Sequence, residues 1–285
     1  MKIRLGILAL GALFSFLLSC NNAQNNNQIS RKQQVVALLK AFETGDTVPI
    51  SYINSGKYTQ HNLHVADGVQ GFREAIRGAA KSGLKVNTLR IFEDGDYVFA
   101  QSLNTRRDDS IELTFDIFRY EGDKIVEHWD NTYVLHAPTD PQRFNDLYLG
   151  AVAEIKDRDK TQANKKLAEA YTRYVLLQDS IECFPEFADT ENYIERNPYI
   201  EEAIPANLRV FVDNERELDP PALHKVLGEG DYVLVVSEKS DRKNLRSALY
   251  DLFRIANGKI VEHWFITEPI PPQSEWKNKN GKFGF

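Results

Sequence analysis

The chain has 285 residues and a formal net charge of −6 at pH 7, from 35 Lys and Arg against 41 Asp and Glu. Nucleic-acid binding depends on phosphate contacts from basic side chains, so this acidic balance, without a basic stripe, argues against a nucleic-acid partner. The only two cysteines are Cys20 and Cys183, which excludes a disulfide-stapled fold.

The first 20 residues have the pattern of an export signal. Lys2 and Arg4 precede an apolar run over residues 5–18, which is too short for a permanent membrane span. The run ends in Leu-Ser-Cys20 and resembles a bacterial lipoprotein signal, in which the cysteine is lipidated. An ordinary cleaved secretion signal is the alternative.

Residues 21–29 are rich in Asn and Gln and predict a disordered tether. The resemblance to lipoproteins implies a lipid on Cys20 that anchors the chain in the cell envelope. It favours the outer membrane, because no acidic residue follows Cys20 directly. Cleavage would remove Lys2 and Arg4 and take the formal charge from −6 to −8.

Helix signals come next, followed by strand signals. Ser30 caps a predicted helix that runs to about Phe42, and residues 69–80 predict a second helix. Four predicted strands follow, over residues 84–92, 97–103, 110–120 and 124–135. Gly95-Asp96 predicts the turn between the first two and Gly122-Asp123 the turn between the last two. Helices followed by an antiparallel meander favour an α+β domain.

The same pattern returns 135 positions later, so the chain is a tandem duplication. Three blocks recur at this offset: 58–62 at 193–197, 95–98 at 230–233, and 116–129 at 251–264. A repeat of this length has the size of a domain. We therefore predict two domains, copy one over residues 30–156 and copy two over residues 157–285.

Copy two opens with a predicted helix over residues 163–177. Its second helix is expected to be shorter or displaced, because prolines occur at positions 205, 220 and 221. Asn257-Gly258 predicts a two-residue type I′ hairpin turn near its end.

These blocks resemble the SnoaL-like polyketide cyclase family of the nuclear transport factor 2-like superfold. The family carries a Tyr-x-Gln-His-Asn-Pro-like segment, here at residues 58–62, and a hairpin with Asp-x-Phe-Arg and Lys-Ile-x-Glu-His-Trp, here at residues 116–129. The resemblance implies α+β architecture with two tandem cone-like domains. Each would be a curved antiparallel sheet packed on N-terminal helices, and the two would pair as an intramolecular pseudo-dimer.

The family's chemistry is proton transfer next to a carbonyl, in aldol cyclisation or isomerisation. Such chemistry needs a carboxylate or imidazole base and a donor for the developing enolate oxygen. The candidate catalytic residues are His61, Asp116, His128 and Asp130. The candidate substrate-binding residues are Tyr58, Gln60, Asn62 and Trp129 in copy one and Tyr193, Asn197, Asp251 and His263 in copy two.

The two copies are unequal at these positions. Glu195 replaces Gln60, Arg196 replaces His61 and Phe265 replaces Asp130 in copy two. Copy one is therefore the better candidate for an active pocket. The histidines at 128 and 263 recur in both copies, so a structural role is the alternative for them.

The hairpin register predicts which candidates converge. Transferred from the Asn-Gly turn of copy two, it pairs Asp116 with Trp129 and Ile117 with His128. Because alternate residues of a strand lie on opposite faces, this places Asp116 on the opposite face of the sheet from His128 and Asp130.

The apolar residues of copy one favour the face of His128 as the inner one, whereas those of copy two favour the face of Asp251. A bulge, or a sheet buried on both faces, would reconcile them. For copy one we expect His128 and Asp130 to line the pocket, with Asp116 as a rival base.

The spacing His61-x-x-His64 offers a possible pair of metal ligands near Asp130, but the sequence does not make a complete ligand set clear. Neither a metal nor another cofactor is therefore expected. Cys183 is expected to be a small buried side chain. The first hypothesis is a cofactor-free proton-transfer enzyme acting on a small carbonyl compound. The alternative is a non-catalytic lipoprotein that binds a small molecule or docks a partner. Association of whole chains into homo-oligomers is left open.

Overall fold

The computed structural model describes residues 29–135, 150, 152–178, 180–196, 222–241 and 244–285. The predicted signal with Cys20, nearly all of the tether, Asn197 and the prolines at positions 205, 220 and 221 lie outside these residues. The predictions made for them therefore stay predictions. Within the described ranges, no helix is both long enough and apolar enough to cross a membrane.

Copy one forms two helices and a five-stranded sheet. The helices are α1 (Arg31–Thr44) and α2 (Gly68–Ser82), and the strands are β1 (Thr59–Gln60), β2 (Lys85–Asp94), β3 (Tyr97–Thr105), β4 (Ile111–Glu121) and β5 (Lys124–Leu135). The predicted cap is confirmed, since Ser30 and Gln33 form a capping box. The sheet order is β1-β5-β4-β3-β2, with β1 parallel to β5. The two-residue β1 is too short to give a sequence pattern and was not predicted.

Copy two repeats this sheet. Its helices are α3 (Thr161–Tyr171), continued by a π-helical turn (Thr172–Leu177), and α4 (Phe184–Phe187). Its strands are β6 (Ile194–Glu195), β7 (Ala222–Glu229), β8 (Tyr232–Ser240), β9 (Arg246–Ala256) and β10 (Lys259–Pro269), in the order β6-β10-β9-β8-β7. The predicted turn is confirmed, because Lys259 pairs with Ala256 and Asn257 has φ 52°.

The two sheets pack against each other through one apolar core. From copy one this core takes Phe92, Phe99, Leu113, Phe115, Ile117 and Trp129. From copy two it takes Leu227, Tyr232, Leu234, Val236, Ala248, Tyr250, Leu252, Trp264 and Ile266. The opposite face of each sheet packs on its own helices. The predicted α+β fold and the pairing of the copies through their sheets are therefore confirmed.

The contacts across this interface are reciprocal, as in a two-fold symmetric dimer. The guanidinium of Arg90 lies 5.9 Å from the ring centre of Tyr232, and Lys225, which occupies the position equivalent to Arg90, lies 3.8 Å from the ring centre of Tyr97, the equivalent of Tyr232. Cation–π pairs of this kind stabilise a buried interface.

A second pair of reciprocal contacts joins the strand ends. The backbone N–H of Glu93 donates to Glu229 (2.9 Å), and the backbone N–H of Gly228 donates to Asp94 (3.0 Å). Positions 93 and 94 correspond to 228 and 229 at the offset of 135. The interface therefore preserves the symmetry of the duplication in its hydrogen bonds.

Because both sheets contribute to one core, we expect Trp264→Ala to destabilise the whole chain. The free energy of unfolding should fall by about 3–5 kcal/mol, as for other large-to-small core substitutions. Urea unfolding followed by circular dichroism and by fluorescence should still give one coincident transition. Val48→Ala is the control, since Val48 is 70% exposed, and it should change stability by less than about 0.5 kcal/mol. Two separate transitions, of which only one shifts, would contradict the shared core.

Candidate functional site

A β-bulge in β5 decides which side chains of the hairpin share a face. Tyr120 pairs with Ile125 and Arg119 pairs with Glu127, so Val126 is the extra residue. A bulge inserts one residue into one strand and shifts the pairing beyond it. Copy two has the same irregularity between Ile260 and Glu262.

The predicted register was wrong by one residue because of this bulge. Asp116 pairs with Asp130 and Ile117 pairs with Trp129, while His128 pairs with Phe118. Asp116, His128 and Asp130 therefore lie together on the helix-facing side of the sheet. The prediction that Asp116 lies on the opposite face is corrected.

A chain of hydrogen bonds runs through this face. His128 Nε2 lies 3.0 Å from Asp116 Oδ1, and His128 Nδ1 lies 3.1 Å from Gln60 Oε1. The amide of Gln60 donates to the hydroxyl of Tyr58 (3.1 Å). All four side chains are buried, so the short parallel pairing of β1 with β5 connects the predicted Tyr58–Asn62 segment to the hairpin.

The partners of Gln60 fix the role of each nitrogen of His128. Gln60 Oε1 also accepts from the backbone N–H of Asn62 (2.9 Å), so His128 Nδ1 donates to the same oxygen. In a neutral imidazole, Nε2 is then an acceptor, and it faces an acceptor oxygen of Asp116. One proton must therefore be held between Asp116 and His128.

The surroundings raise the pKa of Asp116. Burial of its carboxyl is the main cause, the hydrogen bond with His128 opposes it, and the neighbouring Asp130 raises the pKa further. Burial and the same carboxylates also raise the pKa of the Tyr58 hydroxyl well above its ordinary value. Tyr58 therefore stays a neutral hydrogen-bonding group in this network.

Asp130 completes the group, and its two carboxylate oxygens have different surroundings. Its Oδ2 accepts from the side-chain amide of Asn62 (2.8 Å). Among the described residues, its Oδ1 has no hydrogen-bond partner, and the residue is only 9% exposed. Such an atom costs free energy unless something binds it.

Asp116, His128 and Asp130 line a cavity of about 210 Å³ in copy one. Its apolar wall is formed by α1, α2 and the start of β2, and its polar wall by β3, β4 and β5. The remaining lining residues are Leu39, Phe42, Ala79, Leu84, Val86, Ser102, Asn104, Arg106, Glu112, Thr114 and Thr132. The volume is below the roughly 300–1,000 Å³ of sites for drug-sized ligands, so the cavity suits a small compound.

His61 does not belong to this cavity, which corrects the expectation that it is a pocket residue. Its ring stacks on Trp129, with 4.7 Å between ring centres. Its Nε2 lies 2.9 Å from Glu127 Oε1, and its Nδ1 lies 2.9 Å from the carbonyl oxygen of Gly281. Adjacent residues of an extended segment point to opposite sides, and Gln60 takes the inward side.

Glu127 holds His61 from one side and Arg119 from the other. Arg119 Nε donates to Glu127 Oε2 (2.6 Å). Burial raises the pKa of Glu127, but the bonds from His61 and Arg119 outweigh it and leave that pKa below its ordinary value. Arg119 and Glu127 therefore form an ion pair.

The end of copy two passes over the loop that carries Gln60 and Asn62. The side chain of Asn280 donates to the carbonyl oxygen of Gln60 (2.9 Å), and that of Asn278 donates to the carbonyl oxygen of Asn62 (2.7 Å). An added Cβ at Gly284 would lie 2.9 Å from the ring of His61, so this close approach requires glycine. We call residues 277–285 the C-terminal strap.

Copy two uses the same positions differently. His263 lies between Asp251 (2.9 Å) and Glu195 (3.1 Å), and Tyr193 donates to Glu195 (2.9 Å). Burial lowers the pKa of His263, but the two carboxylates outweigh it and raise that pKa from 6.5 to about 10. His263 is therefore a buried cation at neutral pH. An imidazolium held between two carboxylates is a structural ion-pair network rather than an acid–base site.

The other substitutions in copy two have the same character. Arg196, in the place of His61, donates to Glu262 (3.0 Å), as does Arg254 (2.7 Å). Phe265, in the place of Asp130, packs its ring against His263. The candidate Trp129 lies in the core between the sheets, together with Trp264, rather than at a site.

Sequence reasoning missed the polar end of the cavity. Asn104, Arg106 and Glu112 line it, and Arg106 pairs with Glu112 (2.5 Å). These residues lie outside the recurring blocks, so comparison of the copies gave no signal for them. The alternation of Glu112, Thr114 and Asp116 along β4 was the one pattern that could have revealed them.

No protein-family model matches the chain, and no curated protein sequence matches it. Solved structures match parts of it. TsrD from Streptomyces laurentii is 22% identical, covers 37% of this chain and 91% of its own, and has a TM-score of 0.32. A candidate polyketide cyclase from Bacillus cereus is 20% identical, covers 35% of this chain and 71% of its own, and has a TM-score of 0.32.

A third structure, an NTF2-like protein from Cytophaga hutchinsonii, is 15% identical, covers 41% of this chain and 96% of its own, and has a TM-score of 0.31. Likenesses at this level leave the function to be argued from the side chains of this chain.

The raised pKa of His263 predicts how stability depends on pH. A folded-state pKa above the unfolded value of 6.5 gives stability that is fully present below pH 6.5 and is lost as pH rises through about 10. His263→Gln should flatten this loss, which can reach several kcal/mol at about 1.4 kcal/mol per pKa unit. Urea unfolding at pH 6, 8 and 10 measures it. His64→Gln, an exposed histidine, is the control and should keep the native pH dependence.

Proposed function

We propose that copy one is a cofactor-independent acid–base catalyst that moves a proton next to the carbonyl of a small compound, in an isomerisation or aldol-type reaction. The observation that carries this proposal is the buried Oδ1 of Asp130, which has no hydrogen-bond partner in the described part of the chain, beside the hydrogen bond of Asp116 and His128. Acid and base groups thus meet at the wall of one small cavity.

Asp130 is the base in this scheme. Its Oδ1 takes the proton from the carbon next to the carbonyl, and Asn62 holds the other oxygen in place. The electron pair of the broken C–H bond forms the enolate. The proton held between Asp116 and His128 then goes to the enolate oxygen, so the charge of the substrate is restored. Two carboxyl groups whose environments differ are a usual source of such acid–base pairs.

The cavity supplies the surroundings that this chemistry needs. Phe42 and Leu84 on its apolar side exclude water from one side of a bound compound. In such a site hydrogen bonds are stronger than in water, because little solvent screens them. The small volume favours a short carbonyl compound over a large polycyclic one.

Copy two serves as a structural partner in this proposal. It lacks a counterpart of Asp130, and its histidine is held as a cation between two carboxylates. It contributes the sheet that covers the back of the copy-one hairpin and the C-terminal strap that holds residues 60–65.

We also propose that the protein works at the cell envelope, anchored by a lipid on Cys20. The support is the signal-like segment before Cys20 and the polar tether after it. Cys20→Ser should move the protein from the membrane fraction to the soluble fraction of cells. Metabolic labelling with a fatty-acid analogue should mark the native chain alone, and labelling of the Cys20→Ser protein would contradict the anchor.

The proposed reaction is tested by incubating the protein with a panel of small carbonyl compounds. Turnover is measured as the exchange of the carbon-bound hydrogen for deuterium. Asp130→Asn and Asp116→Asn should each lower kcat by about 10²–10⁴-fold, the usual contribution of a positioned acid or base. Asp123→Asn, on the exposed turn between β4 and β5, is the matched control and should keep full activity.

Asp251→Asn tests whether the equivalent carboxylate of copy two contributes to turnover. Activity should stay within about two-fold in any fraction that folds, because the proposed chemistry does not use this residue. If the native chain exchanges no compound of the panel while a co-purified small molecule is found by native mass spectrometry, the non-catalytic binding protein is the better description.

A further inference from the structure

We infer that Asp116, His128 and Asp130 form a binding site for one divalent transition-metal ion. The inference concerns the same three side chains as the proposed function but does not depend on that reaction. One imidazole nitrogen and two carboxylate oxygens are a ligand set suited to ions such as Mn²⁺, Fe²⁺ and Zn²⁺. The observed register places Asp116 on the same face as His128 and Asp130, and so completes a set of three ligands that was not apparent from the sequence.

The distances suit one ion. One ligand atom from each side chain lies within 4.8 Å of the other two. Two ligands at 2.0–2.2 Å from one ion can be at most about 4.4 Å apart. A movement of the side chains by about half an ångström therefore brings all three into range.

The ligand atoms are also oriented for a cation, which on binding would release the proton held between Asp116 and His128 to solvent. His128 Nδ1 donates to Gln60 Oε1, which leaves the lone pair of Nε2 directed at the cluster. Asn62 holds Oδ2 of Asp130, and no described residue binds its buried Oδ1. Metal ligands in proteins are typically oriented by outer hydrogen bonds of this kind.

The charge of the cluster is not balanced by the cations beside it. Lys282 Nζ donates to the main-chain oxygen of Asp130 and pairs with Glu268 (2.8 Å each). Arg106, on the cavity wall, pairs with Glu112. Among the described residues, both nearby cations thus already have a carboxylate partner.

Copy two provides the internal comparison. Phe265 stands in the place of Asp130, so one ligand is missing. Glu195 stands in the place of Gln60 and accepts from His263 Nδ1, while Asp251 faces Nε2. With both ring nitrogens bound to carboxylates, His263 has no lone pair for a metal. The inference therefore predicts one ion per chain.

Binding of Mn²⁺ to the full chain in detergent tests the inference. Mn²⁺ is the probe because it prefers carboxylate ligands to thiolates, so Cys183 does not compete. Loss of the electron paramagnetic resonance signal of free Mn²⁺ should show one ion per chain. Asp130→Asn should weaken this binding by at least about 100-fold, the upper end of the effect of losing an outer hydrogen bond.

Asp130→Phe, which installs the residue of copy two, should abolish the binding. Asp123→Asn should bind Mn²⁺ like the native chain, and circular dichroism confirms that each variant is folded. If the native chain binds no Mn²⁺ at millimolar concentration, or binds it equally well after Asp130→Asn, the inference is overturned.

The outcomes also separate this inference from the proposed function. Turnover by a chain that binds no Mn²⁺ would overturn the metal site and leave the proton-transfer proposal intact. One Mn²⁺ per chain that is lost in Asp130→Asn, without turnover of any carbonyl compound, would support the metal site and overturn the proposed reaction.

Discussion

The structure depends on the burial of one face of each sheet against the other. Trp129 and Trp264 are both at most 1% exposed in this shared core, and burial of side chains of this size contributes a large share of the stability of a small domain. Because the face that carries the tryptophans is committed to the partner sheet, the other face must meet the helices. The candidate site forms on that second face.

The general fold could be predicted from the sequence because its signals are local or repeated. The cap at Ser30, the turn at Asn257-Gly258 and the offset of 135 each follow from residue type and spacing. The site could not be predicted in full, because its geometry depends on a bulge at Val126 that no residue type in the hairpin announces. One extra residue reversed the expected relation of Asp116 to His128.

Comparison of the copies identified Asp130 but overestimated His61. Both residues change between copies, yet His61 changes to Arg196 with the same partner, since each contacts the equivalent glutamate, Glu127 or Glu262. A difference between copies therefore indicates function only where the contact changes as well. At Asp130 it does, because phenylalanine at the equivalent position removes both the charge and the hydrogen-bonding capacity.

The C-terminal strap places the assembly of the site late in folding. Asn278 and Asn280 bind the loop of copy one across 216 and 220 residues of sequence, and contacts of such separation form slowly. Copy one is synthesised first, but the loop with Gln60 and Asn62 gains these bonds only after copy two has emerged and docked. A nascent or truncated chain would thus carry the sheet of copy one without the bonds from the strap, so the candidate site is completed only after both copies have folded.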